Sequence, residues 1–240
     1  MVYNERMIKI INVTKKYGDK KALDKVSFEV EKGEIFAFIG HNGAGKTTLI
    51  KSIVGIHDFD EGEILINGKS IKKEPVACKK EMAYVPDNPE LYENMRAIQF
   101  INFICDMYGV EQSRREKNIK KYAEMFEISE NLNDTIDSFS HGMKQKIALI
   151  AALAHEPNIL IMDEPFVGLD PKAVFDVKEL MRKMTKEGKT IFFSTHILDV
   201  AEKLCTKVAI IKNGKIMKVG SMKEVKGDKS LEKVFLELEK

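Results

Sequence analysis

No apolar stretch in this 240-residue chain approaches the ~20 residues that a membrane-spanning helix requires. The first residues, Met1-Val2-Tyr3-Asn4-Glu5-Arg6, lack the apolar run of a secretory leader. The expectation is a cytosolic chain, or one that meets a membrane only through another protein. A charge excess is missing too. The 39 Lys and Arg residues stand against 37 Asp and Glu, leaving a net charge of +2, which removes the electrostatic case for nucleic acid as the main partner. Cysteine is scarce: Cys78, Cys105 and Cys205 are scattered, odd in number and without ligand spacing. That excludes a disulfide framework and predicts reduced, buried thiols. Internal repeats and low-complexity tracts are absent. What remains, 44% apolar and 32% charged, is an ordinary globule able to bury a full core. It is either one large α/β domain or one domain with an inserted subdomain.

The most informative stretch present is Gly40-His41-Asn42-Gly43-Ala44-Gly45-Lys46-Thr47-Thr48, which fits G-x-x-x-x-G-K-[ST]. An apolar run at 35–39 leads into it and a helical pattern at 47–54 leads out. Strand, glycine loop and helix form the context in which backbone N–H groups converge on phosphate oxygens. Glycines let the backbone approach closely. Lys46 adds a charge for the β- and γ-phosphates, and the Thr47 hydroxyl is a candidate Mg2+ ligand.

Along the chain, 7–13 and 26–30 alternate as strands with one wet face. Asn67-Gly68 after 63–66 suits a tight turn, and 82–85 is a short strand ended by Pro86. From about 88 to 156 glycines thin out and the apolar spacing becomes helical. Phe100, Phe103, Ile104 and Met107 fall at i, i+3, i+4 and i+7, as does the group Tyr122, Met125 and Phe126 in part, and both stripes read as core. The segment 147–154 reads as a buried helix. Continuous apolar runs return at 158–162 and 190–194, as central parallel strands should, with an amphipathic helix at 172–186 between them. Near the end, 207–212 and 215–219 flank Asn213-Gly214, a hairpin signal. Leu231, Val234, Phe235 and Leu238 predict a docked terminal helix.

Asp163-Glu164 directly follows the strand at 158–162. Carboxylates at a strand's C-terminal end lie where ligands bind in open α/β sheets. Asp163 is placed to hold Mg2+ through water, and Glu164 to polarise an attacking water as general base. His196 follows the strand at 190–194 and should sit at the same sheet edge, within reach of a γ-phosphate. Ser140-His141-Gly142-Met143-Lys144-Gln145 opens the buried helix. Its serine and glycine suit either an ordinary helix cap or a phosphate contact.

Together and in this order, these elements resemble the ATP-binding subunit of an ABC transporter, over essentially the whole chain. Gly40 to Thr48 is similar to the family's Walker A loop, and Tyr17 falls where a family aromatic stacks on adenine. Ser140 to Gln145 resembles the LSGGQ element, and 159–164 the Walker B strand with its catalytic glutamate. Gly168-Leu169-Asp170 resembles the D-loop, and His196 in Ser194-Thr195-His196 the switch histidine. The resemblance implies an α/β P-loop core with a mainly parallel sheet, an N-terminal antiparallel β region and an inserted helical subdomain. The boundaries would be 1–87 and 157–225 for the core, 88–156 for the subdomain and 226–240 for a terminal helix. It also implies ATP and Mg2+ as cofactors, with Lys46, Glu164 and His196 catalytic. Gly40, Asn42, Gly43, Ala44, Gly45, Thr47 and Thr48 would bind nucleotide.

The partners so implied are a membrane-spanning subunit and a second ATPase subunit, identical or a close paralogue. Ser140, Gly142 and Asp170 would then reach the partner's nucleotide across a head-to-tail dimer. The chain would sit peripherally on the inner face of the cell membrane. Two departures stand out. Asp87 occupies the place of the usual glutamine and is expected near the metal, linking it to the membrane subunit. His141 and Met143 replace a glycine and a glutamine in the LSGGQ-like element, which together with the Leu91-Tyr92-Glu93 run and the terminal tail looks like the exporter branch. Soluble relatives in translation carry two cassettes per chain, and those in DNA repair a long coiled coil; this chain has one cassette and no sustained heptads. A small-molecule P-loop kinase has no use for the LSGGQ-like element or His196.

Overall fold

The chain runs through β1 (Arg6–Tyr17), β2 (Lys20–Glu31), β3 (Ile35–Ile39), α1 (Lys46–Ile53), β4 (Glu61–Ile66), β5 (Lys69–Ser70), α2 (Pro75–Glu81) and β6 (Met82–Val85). It continues with α3 (Ala97–Met107), α4 (Gln112–Met125), α5 (His141–Ala154), β7 (Ile159–Asp163), α6 (Pro171–Lys186), β8 (Thr190–Thr195) and α7 (Leu198–Leu204). The last elements are β9 (Lys207–Lys212), β10 (Lys215–Ser221), α8 (Met222–Lys226) and α9 (Leu231–Glu239). This computed structural model describes residues 5–239; residues 1–4, where a leader would start, and Lys240, the last of the expected terminal helix segment, lie outside that range.

The uninterrupted apolar runs become the middle of a six-stranded sheet of order β10-β9-β3-β8-β7-β6. All its pairings are parallel except the β9–β10 hairpin. Such strands must bury both faces, and they do so into two separate apolar clusters. Ile35, Ala37, Ile39, Leu160, Met162, Ile191 and Phe193 join the helices α3 to α6 on one side. Phe36, Phe38, Ile159, Ile161 and Phe192 point the other way, onto α1 and the antiparallel sheet β2-β1-β4-β5. There Phe28, Phe36 and Phe192 stack with centroids 5.0 to 6.0 Å apart. This arrangement puts the C-terminal ends of β3, β7 and β8 side by side at one edge, the place where an open α/β sheet binds ligands.

Most local readings match what folds, with two differences. The first hairpin is longer than the alternation indicates: β1 runs to Tyr17, which pairs with Lys20. Its tip consists of lysine-rich positions without the apolar signal that marks a half-buried strand. The stripe on α3 is also corrected. Its buried face is Ala97, Phe100, Ile101 and Cys105, whereas Phe103 is 39% and Met107 67% exposed. The helix is apolar on more than one face, so the i, i+3, i+4, i+7 rule admitted a stripe rotated away from the true core. All three cysteines are buried and free. Asn213 and Gly214 both have positive φ (49° and 77°), as a two-residue primed turn demands.

Candidate nucleotide site

β3 ends at Ile39 and α1 begins at Lys46, so residues 40–45 wrap the loop at the sheet edge. Gly45 caps α1 with φ 113°, and a Cβ there would lie 2.5 Å from the Ala22 carbonyl oxygen. Its lack of a side chain thus serves close packing against β2 as well as the turn. Gly43, with φ 81°, has open space where a Cβ would be, and lines the adjacent cavity. That cavity, of about 590 Å3, is also walled by Tyr17, Asn42, Gly45, Lys46, Thr47, Thr48, Asp87 and Glu164. Its size lies within the range of small-molecule and cofactor sites, roughly 300–1,000 Å3.

Lys46 is only 6% exposed. Its Nζ donates to the Gly40 carbonyl at 2.7 Å and the His41 carbonyl at 3.3 Å, and lies 3.4 Å from Glu164 Oε1. Asp163 is buried, and its Oδ1 accepts from the Ser194 hydroxyl. Burial raises its pKa above the ordinary carboxylate value; bonds from Ser194 and Thr47 oppose the rise, and the charges of Asp87 and Glu164 add to it. A bound cation would reverse that balance by favouring the charged carboxylate. Asp163 Oδ2 and Glu164 Oε1 are buried and accept no hydrogen bond among the described residues. A hydroxyl and one or two oxygen donors beside a phosphate loop suit Mg2+, which retains waters and takes phosphate oxygens as further ligands. No cluster of three His, Cys, Asp or Glu able to hold a metal exists among the described residues, so the donor set does not suit a transition-metal cage.

Glu164 adopts φ 47°, a left-handed conformation that is costly for a residue with a side chain. Its N–H donates to the Ser194 carbonyl at 3.2 Å and to Ser194 Oγ at 3.1 Å. Held in this way, its Oε2 sits 2.9 Å from His196 Nδ1 and accepts the His196 N–H at 3.3 Å. His196 and the loop lysine thereby converge on one carboxylate.

The sequence-predicted residues divide into two groups. Tyr17, Asn42, Gly43, Gly45, Lys46, Thr47, Thr48, Asp87 and Glu164 line one cavity. Asp163 contacts it through Thr47, and His196 through Glu164. Gly40 contributes its carbonyl to Lys46, and Ala44 is buried beneath the loop. Asp87 acts on Asp163 electrostatically, and both charges help raise the pKa of Tyr84, whose main cause is burial. Ser140, Gly142 and Asp170 are not part of this cavity. Ser140 caps α5, accepting from Met143 N at 3.3 Å. Asp170 caps α6 and pairs with Lys146 at 3.0 Å; the Ala173 N–H first, then Lys146, lowers its pKa. A Cβ on Gly142 would fall 2.8 Å from the Gly168 carbonyl oxygen.

Three contributors were missed from sequence. Ser194, the brace of both acids, stood at the end of an apolar run that also carries Thr190 and Thr195. The Asn213-Gly214 turn and the Lys20, Lys21 and Ala22 segment form cavity walls, and nothing local marks a turn as a wall.

The sequence model of the family described as ABC transporter matches residues 23–167. The linearmycin resistance ATP-binding protein LnrL of Bacillus subtilis is 35% identical over 215 residues, 90% of this chain and 69% of the relative. The methionine import ATP-binding protein MetN of Clostridioides difficile is 35% identical over 224 residues, 91% of this chain and 70% of the relative. A solved ATP-binding subunit of an ABC transporter superposes with a TM-score of 0.94 at 33% identity, covering 98% of this chain and all of the other. A dimeric ATP-binding cassette in a post-hydrolysis state with ADP and Pi superposes with a TM-score of 0.83 at 25% identity, covering 90% of this chain and 99% of that one.

The chain belongs to the ABC transporter family. It is an ATP-binding subunit of an ABC transporter, an ATPase using ATP and Mg2+. No helix among the described residues is long and apolar enough to cross a membrane.

Proposed function

We propose that this chain is the motor subunit of an exporter-type transporter, working on the cytoplasmic face of the membrane as one of two cassettes that close head to tail on ATP. The observation that carries this reading is the division of the site. The phosphate loop, the acids and His196 converge at one edge, while Ser140, Gly142 and Asp170 stand apart from that cavity. A second copy, or a close paralogue, would bring the missing segment to the nucleotide. The altered LSGGQ-like element, with His141 and Met143, and the likeness to a linearmycin resistance subunit support export. The equal likeness to a methionine import subunit weighs on the other side.

Mg2+, where bound, neutralises charge on the β- and γ-phosphates. Thr47 and Asp163 would hold it, with Asp87 at the rim. The loop N–H groups and Lys46 orient the phosphates. Glu164 takes the proton of the attacking water, and His196 fixes the carboxylate's direction through its 2.9 Å contact. We assign residues 88–156 as the unit that meets the membrane partner. Tyr92, Phe103 and Met107 are exposed there. A groove of about 310 Å3 beside them is lined by Pro89, Leu91, Phe100, Ile104 and Met107. Its lining also takes in Pro86, the residue before Asp87, so a force applied at the groove acts close to the metal-facing loop.

Introducing Phe103→Glu with Met107→Glu should release the chain from the membrane fraction by at least about tenfold, because two charges would be forced against an apolar partner. ATP affinity of the purified chain should not change. Full membrane retention of the double variant would remove this surface as the docking site, and a wild-type chain that never sediments with membranes would remove the peripheral placement on the membrane.

A further inference from the structure

The first turns of α5 contact two separate parts of the ATPase machinery. Gly142 packs on Gly168, and Lys146 pairs with Asp170, so this end of the helix is joined to the segment before α6. The neighbouring residue, Gln145, reaches a different element. It is fully buried, and its Nε2 donates to the Pro86 carbonyl at 3.4 Å. Pro86 immediately precedes Asp87, which lines the nucleotide cavity.

The chemistry of this joint is unusual. Pro86 offers an acceptor and no N–H, so the amide nitrogen must face it and the amide oxygen must turn away. That oxygen, Oε1, is buried and accepts no hydrogen bond from the described residues. An amide with one long bond and an open buried acceptor costs stability. The rest of α5 from Ile147 to Ala154 is apolar and buried, so a leucine would serve packing as well or better. A long bond and a free acceptor suit a contact that exchanges partners when the two elements shift.

We propose that Gln145 is a positioning residue that couples the Asp87 loop to the helix whose first turn carries Ser140 and Gly142. A change at the metal-facing loop of one chain then alters the surface which that chain offers to the second cassette. This rests on the paired-cassette reading above and assigns the residue through which pairing is regulated.

The test is carried out on the full chain in a Glu164→Gln background, with ATP and Mg2+, by sedimentation over a range of protein concentrations. Adding Gln145→Leu should weaken ATP-driven dimerisation at least about tenfold. ATP affinity of the monomer should stay within about twofold, and the thermal midpoint should hold or rise, because the unsatisfied amide is gone. Gln145→Met, unbranched and of similar volume, should behave in the same way and guards against a packing fault particular to leucine. Dimerisation within about twofold of the Gln145 parent would overturn the proposal. So would a loss matched by lower midpoints and weaker ATP binding in both variants, since that marks a packing role. A parent that remains monomeric with ATP would remove the paired-cassette reading, and the proposal with it.

Discussion

Glu164→Gln is expected to lower ATP turnover by about 10²–10⁴-fold, the range general acid–base catalysis contributes, while leaving ATP affinity unchanged or slightly tighter. The side chain keeps its size, so the contact with His196 can persist through an amide oxygen. What disappears is the ability to accept a proton from water. One negative charge also leaves a neighbourhood that holds Asp163 and Asp87, whose mutual repulsion with Glu164 is part of why the Asp163 pKa is raised. Phosphate release under saturating ATP, paired with equilibrium nucleotide binding, separates the two effects. Dimers should accumulate with ATP because the step that opens them is blocked. A variant that hydrolyses at the parental rate would remove Glu164 as the base and shift attention to His196.

Lys46→Ala is expected to act one step earlier, weakening ATP binding itself by about 10–100-fold. The estimate follows from the net loss of one charge-assisted hydrogen bond at roughly 1.5–3 kcal/mol, with 1.4 kcal/mol per factor of ten. The structure adds a second reason. The ammonium is nearly enclosed and spans the Gly40 and His41 carbonyls, so its removal leaves loop acceptors unpaired and loosens the turn that presents the N–H groups. It also strips Glu164 of the cation lying 3.4 Å from Oε1. Titration with a fluorescent ATP analogue reads the loss directly. Undiminished affinity would show that the backbone loop binds the phosphates without the lysine.

The contrast between these two variants reflects which features the sequence carries locally. Residues 40–48 are contiguous, and their meaning depends on a strand before and a helix after, both of which show in the pattern of apolar residues. Asp163 and Glu164 sit at the end of an apolar run for the same reason. Ser194 was harder to see, because its role depends on β8 lying beside β7, a pairing across 31 positions that no local window contains. The Tyr17 hairpin was truncated because solvent-facing lysines carry no burial signal, although the ladder continues through Lys16 and Lys21. The α3 stripe was half right for the opposite reason: Phe100 and Ile104 meet the core, but an excess of apolar residues left the rotation undetermined, and tertiary packing selects Ala97, Phe100, Ile101 and Cys105. Likewise the D-loop resemblance singles out Gly168 without naming its neighbour, whereas a Cβ there would strike the His141 ring. That close approach joins two motifs far apart in the chain.

The claim beneath all of this is that one chain holds only part of a reaction centre. Measuring ATP turnover per chain across a dilution series, with molecular mass recorded at each working concentration, tests it most directly. Turnover per chain should fall steeply as dimers dissociate, approaching zero for the monomer and recovering when the protein is concentrated again. A monomer, confirmed by mass, that cleaves ATP at the full rate would contradict the account.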